Sequence, residues 1–257
     1  MAQAAALWQA GRYAEAEAEA RSVAAARSRR RDDAYGPLAS SIAALAMGAQ
    51  GRHAEAATAY DALLPVFGRV FGAEHPYTLK LRSDRAQALS ALDRYAECEA
   101  ECAAVVRAAA RGTGPDMALV GTAARNGQIY ALNARGRHPE AEALAREALA
   151  GRPAADRFTL VLRLGLARSL NGQARHGEAL TEAEGADEVH RGLPETQRVP
   201  ETGAVQLARA TALLGLGRAT EARVPAAAAL DACLAAFGPD HHRTAEARTL
   251  LGRFDDA

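Results

Sequence analysis

The sequence predicts an all-α chain of stacked antiparallel helix hairpins, an α-solenoid, and two observations carry that prediction. A hexapeptide recurs six times: GRYAEA at Gly11, GRHAEA at Gly51, DRYAEC at Asp93, GRHPEA at Gly136, ARHGEA at Ala174 and GRATEA at Gly217. The steps between these anchors are 40, 42, 43, 38 and 43 residues, and a period near 40 marks supersecondary units that bury their faces on one another. The second observation is compositional. Alanine supplies most of the apolar residues and aromatics make up only 5% of the chain, while no alternating β-branched stretch of useful length occurs. Alanine is the strongest helix former and lets helices approach closely.

Each element follows from the residues around an anchor. Before Asp93 a helical stripe runs Leu81, Arg85, Leu89, Leu92; before Gly136 a weaker one runs Gln128, Leu132, Arg135. After Asp93 the period continues through Glu97, Cys98, Cys102, Val105 and Val106. The unit is therefore helix, short turn, helix. Glycine at four of the six anchors suits the positive φ that ends a helix. The Glu four places after each anchor lies in the first turn of the next helix, where negative charge meets the dipole. A lone hairpin cannot bury its stripe, so Leu89 is expected between units.

A second landmark separates the units: FGAEHPYT from Phe71, FGPDHHRT from Phe237, and a reduced copy, TGPDMA, from Thr113. Pro76 and Pro115 suit the first helical position. Pro65 and Pro225 are expected to kink or end their helices. The repeat at Ala174 is short and lacks the glycine, and residues 192–204 form an unusual connector, so stacking over 172–204 is the least regular. The leading helix has at most ten residues, Met1 to Ala10. Residues 243–257 read as one capping helix, the alternative being a seventh hairpin cut after its anchor. The whole reads as a single domain, 1–257, of about six repeats plus that cap. Neither end is sealed by polar residues, which points to a longer protein or to a homodimer through the solenoid ends.

Composition narrows function. With 31 basic and 31 acidic residues, no sequence-wide positive field favours nucleic acid or an anionic membrane. No apolar run approaches the roughly 20 residues that span a bilayer. The N-terminus lacks the basic region of a secretory signal. Three cysteines in this length suit a reducing, cytoplasmic compartment rather than a disulfide framework. There is no P-loop, GxSxG, HExxH or dinucleotide fingerprint, so no enzyme, cofactor or metal is expected.

Several residues look chemical, and each has a plainer reading. Cys98 and Cys102 lie four apart on a helix, yet Cys98 takes the place of Ala16, Ala56, Ala141, Ala179 and Ala222 in the other anchors, and so reads as a small core residue. His53, His138 and His176 occupy the place held by Tyr13 and Tyr95 and belong to different repeats, which does not suit a shared metal. Glu184, Asp187, Glu188 and His190 read as a solvated helix face. The one basic run, RSRRRDD (27–33), lies near a helix end where cations offset the dipole. Arg82, Arg125 and Arg163 recur eleven residues before successive anchors, and such a ladder needs acidic partners, expected on neighbouring units.

The leucine-rich first helix, GRxxEA and FGxxHPxT together resemble the tetratricopeptide repeat, in the longer form of roughly 42 residues found in kinesin light chains, over nearly the whole chain. The resemblance implies a right-handed solenoid whose first helices line a concave groove. It places in that groove the residues about 13, 10, 9, 6 and 3 before each anchor: Lys80, Ser83, Asp84, Gln87 and Ser90; Asn126, Tyr130 and Asn133; Arg168 and Asn171. Leu38, Ile42, Leu45, Leu207 and Leu214 make the groove's two ends apolar. Asn and Gln offer donors and acceptors to a peptide backbone, and Arg168 and Lys80 suit a carboxylate or phosphate. The expected partner is a protein or peptide segment, without nucleic acid or membrane. The leading function is a non-enzymatic binding scaffold. The alternative is a sensory or regulatory domain of a larger signalling protein, and an enzyme on this scaffold ranks third.

Overall fold

The computed structural model describes residues 1–27, 34–152 and 155–254, and every described element is helical. From residue 28 onward the basic run lies outside the described residues. The chain divides into two compact units, residues 1–128 and 129–257.

The first unit holds α1 (Ala2–Gln9), α2 (Tyr13–Arg27), α3 (Tyr35–Ala49), α4 (His53–Val70), α5 (Pro76–Ser90), α6 (Tyr95–Ala109) and most of α7 (Pro115–Ala134). Each helix from α1 to α5 packs on the next, and α1 meets α3 as α3 meets α5. The second unit holds the end of α7, then α8 (His138–Ala150), α9 (Arg157–Gly172), α10 (His176–Gly192), the short α11 (Glu195–Arg198), α12 (Ala204–Gly215), α13 (Ala219–Phe237) and α14 (His242–Gly252). There α8 packs on α9, α9 on α10, α10 on α12, α12 on α13 and α13 on α14, while α9 touches α12 and α12 touches α14. Within each unit this is the contact pattern of stacked hairpins.

The anchors are helix stops of one kind. φ is positive at all six, 75° at Gly11 and 72° at Gly136, but also 59° at Asp93 and 58° at Ala174. At Asp93 the anchor N–H donates to Ser90 O and the next N–H, of Arg94, donates to Leu89 O; at Ala174 the bonds run to Asn171 O and Leu170 O. This pair of bonds is the Schellman stop. The helix therefore ends the same way where the glycine is missing. The Arg after each anchor donates from Nε to the Glu three residues on, at 2.7–2.8 Å in every repeat. The first-turn glutamate thus grips the turn as well as the dipole.

Stacking relies on two small-residue positions. The residue five after each anchor, Ala16, Ala56, Cys98, Ala141, Ala179 or Ala222, is wholly buried. Nine after the anchor stand Ala20, Tyr60, Cys102, Ala145, Ala183 and Ala226, all buried. Leucines from the first helices fill the space between, with Leu89, Leu132 and Leu170 buried. In the second unit Ile129, Leu132, Leu162, Leu166 and Leu170 form one cluster with Ala141, Ala145, Ala179 and Ala212. Cys98 and Cys102, in the first unit, are buried free thiols; the hydrogen bond with Cys98 and burial both push the Cys102 thiol well above its ordinary range.

The FGxxHPxT landmark is a helix start. His75 Nδ1 caps α5 by accepting the Tyr77 N–H, and its ring stacks on Phe71. Thr78 Oγ1 donates to Gly72 O at 2.7 Å. The second copy repeats each contact: His241 caps α14, stacks on Phe237, and Thr244 Oγ1 donates to Gly238 O at 2.8 Å.

Two expectations need correction. Pro65 and Pro225 do not end their helices, since α4 runs on to Val70 and α13 to Phe237. Pro65 lies on an exposed turn, where the carbonyl it frees can bond water. The connector after α10 is well fastened. Glu201 is buried between Arg157 (2.9 Å) and Arg243 (3.5 Å), and Arg243 also donates to Pro200 O and Thr202 O. Gly203, at φ 76°, closes it against Cys233, leaving no room for a Cβ. The second correction concerns two of the three recurring arginines, Arg82 and Arg163, which pair inside their own hairpins. Arg82 donates to Glu101 at 2.7 Å and Arg163 to Glu182 at 2.7 Å, each on the following helix rather than on a neighbouring unit.

Candidate functional site

First helices place their residues on a wall by 3.6-residue periodicity, so one register recurs from repeat to repeat. In the first unit that wall carries Lys80, Asp84 and Gln87 on α5 and Asn126 on α7. Lys80 and Gln87 are exposed and Asp84 and Asn126 half-buried, with Lys80 Nζ donating to Asp84 at 2.5 Å. Ser83 belongs elsewhere. It is only 2% exposed, so it offers nothing to a groove.

In the second unit Tyr130, on α7, is 38% exposed. The Arg168 guanidinium, on α9, lies 5.0 Å from the Tyr130 ring centroid, a cation–π distance. Arg168 Nη2 also donates to Glu246 Oε1 at 2.8 Å. Glu246 is on α14, and α12 stands between. All three residues hold one register, six before the anchor for Tyr130 and Arg168 and the matching place on α14 for Glu246. The pair thus joins two first helices with a third, α12, standing between them. Thr211 holds that register on α12; its hydroxyl is turned back to Leu207 O at 2.8 Å, leaving the span open.

Arg168 shows the character of this place. Solvent reaches 40% of its side chain, yet surrounding protein desolvates the guanidinium, a penalty that Glu246 and Tyr130 outweigh so that its charge is held firmly.

The asparagines have other work. Asn133 is 5% exposed; its Nδ2 donates to Gly165 O at 3.1 Å and its Oδ1 meets His138 Nδ1 at 3.0 Å. Asn171 Oδ1 meets His176 Nδ1 at 3.0 Å. The His138 ring lies over Gly172 and the His176 ring over Gly215, where a Cβ would sit 2.4 Å and 2.3 Å from ring atoms. Asn133 is thus a fastening between repeats, not a groove donor. The signal was present in the sequence: Asn three before the anchor, His two after it, and Gly two before the next anchor, in both repeats. Leu207, expected at an apolar groove end, is buried in the core with Ala210 and Ala226.

On the other side of the second unit's hairpins, α10, α12 and α13 border a cleft of about 490 Å³ lined by Leu180, Glu184, Arg209, Leu213 and Val224 among others. Among the described residues no group of three His, Cys, Asp or Glu side chains is placed to hold a metal ion. No described helix is long and apolar enough to cross a membrane.

Comparison with known proteins agrees with this architecture. The tetratricopeptide repeat model matches residues 1–22, 37–62 and 122–147. No curated protein matches the chain. Among solved structures, Bacillus thuringiensis PlcR in complex with the peptide PapR7 and DNA is similar in fold, with a TM-score of 0.62 at 16% identity over 84% of this chain and 74% of that one.

Proposed function

We propose that the chain is a non-enzymatic module that grips an extended peptide or protein segment along the inner wall of its first helices. The observation that carries this reading is the row Tyr130, Arg168, Glu246, which sets an aromatic and a cation side by side on the first helices. Aromatic and arginine side chains supply much of the binding energy at interfaces. Lys80, Asp84, Gln87 and Asn126 add donors and acceptors in the first unit, and Asn171 supports the wall in the second. The spacing of 38 to 43 residues fits the longer, kinesin-light-chain-like form of the repeat. Buried, free cysteines suit a reducing compartment such as the cytoplasm.

The similarity to a protein solved with both a peptide and DNA favours a second reading, a ligand-sensing segment of a larger regulator. The two differ in what ligand does. A scaffold keeps its dimensions on binding, and a sensor changes them, which small-angle scattering with and without peptide separates. The test of the first reading is retention of a random heptapeptide pool on the immobilised chain. The pair Tyr130→Ala with Arg168→Gln should lower retention about ten-fold or more, by the weight of one hot-spot cluster, with the helical circular dichroism unchanged. Equal retention by the double variant rejects the wall. A DNA duplex run beside the pool tests the expectation that nucleic acid is not a partner.

A further inference from the structure

We infer that the cleft bordered by α10, α12 and α13 is a second binding site, for a small organic acid with an apolar body: Arg209 holds the carboxylate, and Leu180, Leu213 and Val224 cover the hydrocarbon. It lies on the other side of the hairpins from the inner wall and does not depend on the reading above.

The repeat register accounts for the cleft. In two other repeats the arginine eleven before the anchor pairs with the glutamate eight after it, Arg82 with Glu101 and Arg163 with Glu182, each at 2.7 Å. Around Gly217 those places hold Gln206 and Pro225, which cannot form an ion pair. A second pair, Arg85 with Asp61 at 2.6 Å, joins the residue eight before one anchor to the residue ten after the previous anchor. The matching places here hold Arg209 and Glu184. Among the described residues neither of them makes a hydrogen bond or an ion pair. Glu184 acts on the charge of Arg218 instead, and Arg218 pairs with Glu221 at 2.6 Å. Arg209 is the cation left over.

Its surroundings define the ligand. The Arg209 Nε is shut away from solvent without an acceptor, and a buried donor left unpaired is costly. A guanidinium edge takes a carboxylate through two N–H groups. Gln206, three residues earlier on the same helix and also lining the cleft, offers an amide beside it. The apolar lining runs from Leu213, 6% exposed, to Val224, 73% exposed. A volume of about 490 Å³ falls within the range of small-molecule sites.

The test is calorimetric titration of the full chain with octanoate and with 3-phenylpropionate, beside acetate and octanol. At least one of the two longer acids should saturate the protein, with acetate and octanol at least about ten-fold weaker. Arg209→Gln should lower affinity for that acid about ten-fold or more, the weight of a charge-assisted hydrogen bond, and leave octanol unchanged. Val224→Glu, at an exposed place that folding tolerates, should lower it as well by setting a negative charge beside the carboxylate. Thermal melts verify that both variants fold. Saturation by neither acid, acetate binding as tightly as octanoate, or full affinity in Arg209→Gln each overturns the site. The pair Tyr130→Ala with Arg168→Gln should bind the acid as the wild type does; a loss there would move the ligand to the inner wall and overturn the cleft.

Discussion

At the scale of single residues, the helix stop at each anchor is a backbone conformation first and a residue type second. Ala174 and Asp93 adopt the left-handed region that glycine occupies elsewhere. A Cβ there costs roughly 1–2 kcal/mol, partly offset by the greater freedom glycine has in the unfolded chain. Ala174→Gly should therefore stabilise the protein by about 1 kcal/mol, and Gly136→Ala should destabilise it by a similar amount. Thermal melts of the two variants read this directly. A shift of the same sign in both would show that the stop is not governed by φ.

At the scale of elements, repeats are fastened by carboxylates that sit between hairpins. Glu142, on α8, receives Gln173, Arg175 and Arg146; Glu17, on α2, receives Gln50, Arg52 and Arg21 in the matching places. Burial opposes the charge on each, and the surrounding donors outweigh it, so both carboxyls titrate below the ordinary glutamate range. A depressed folded pKa contributes stability that is complete above the unfolded value, about 4.3, and is lost as pH falls through the folded one. Glu142→Gln should lower stability at pH 7 and narrow its gap to the wild type as pH falls below about 4. Denaturant melts at pH 7 and pH 3 check the sign, and a constant gap would rule out this linkage. The leucines between helices carry more. Leu89 is wholly buried, and Leu89→Ala should cost about 2–5 kcal/mol, measured as a fall in the denaturant midpoint at unchanged slope. A cost under 1 kcal/mol would mean that the neighbouring helices collapse into the gap.

At the scale of the molecule, stability in stacked hairpins is passed between neighbours. Damage at one layer should accordingly weaken nearby helices before distant ones. In Leu89→Ala, amide exchange should accelerate in α3 to α6 more than in α12 to α14. Uniform acceleration would indicate a single cooperative unit instead. Capture at Arg168 should also weaken with salt, because its contribution is electrostatic and water reaches it. Retention of the heptapeptide pool that is indifferent to a rise from about 0.05 to about 0.5 M salt would place the binding energy elsewhere.

The sequence by itself determined the architecture. Six anchors at a steady step, alanines where helices cross, and prolines and histidines at helix starts are all local signals, and local signals survive in a one-dimensional string because helix stops, caps and stripes depend on residues within a turn or two. The small-core role of Cys98 was legible for that reason. What tertiary structure decided is which polar side chains remain available. Asn133 and Gln87 look equally suited to a groove, yet one is spent on Gly165 and His138 while the other stays in water. Arg168 and Glu246, 78 residues apart, meet across α12. Such a contact depends on how successive hairpins pack, and no short stretch of sequence encodes it.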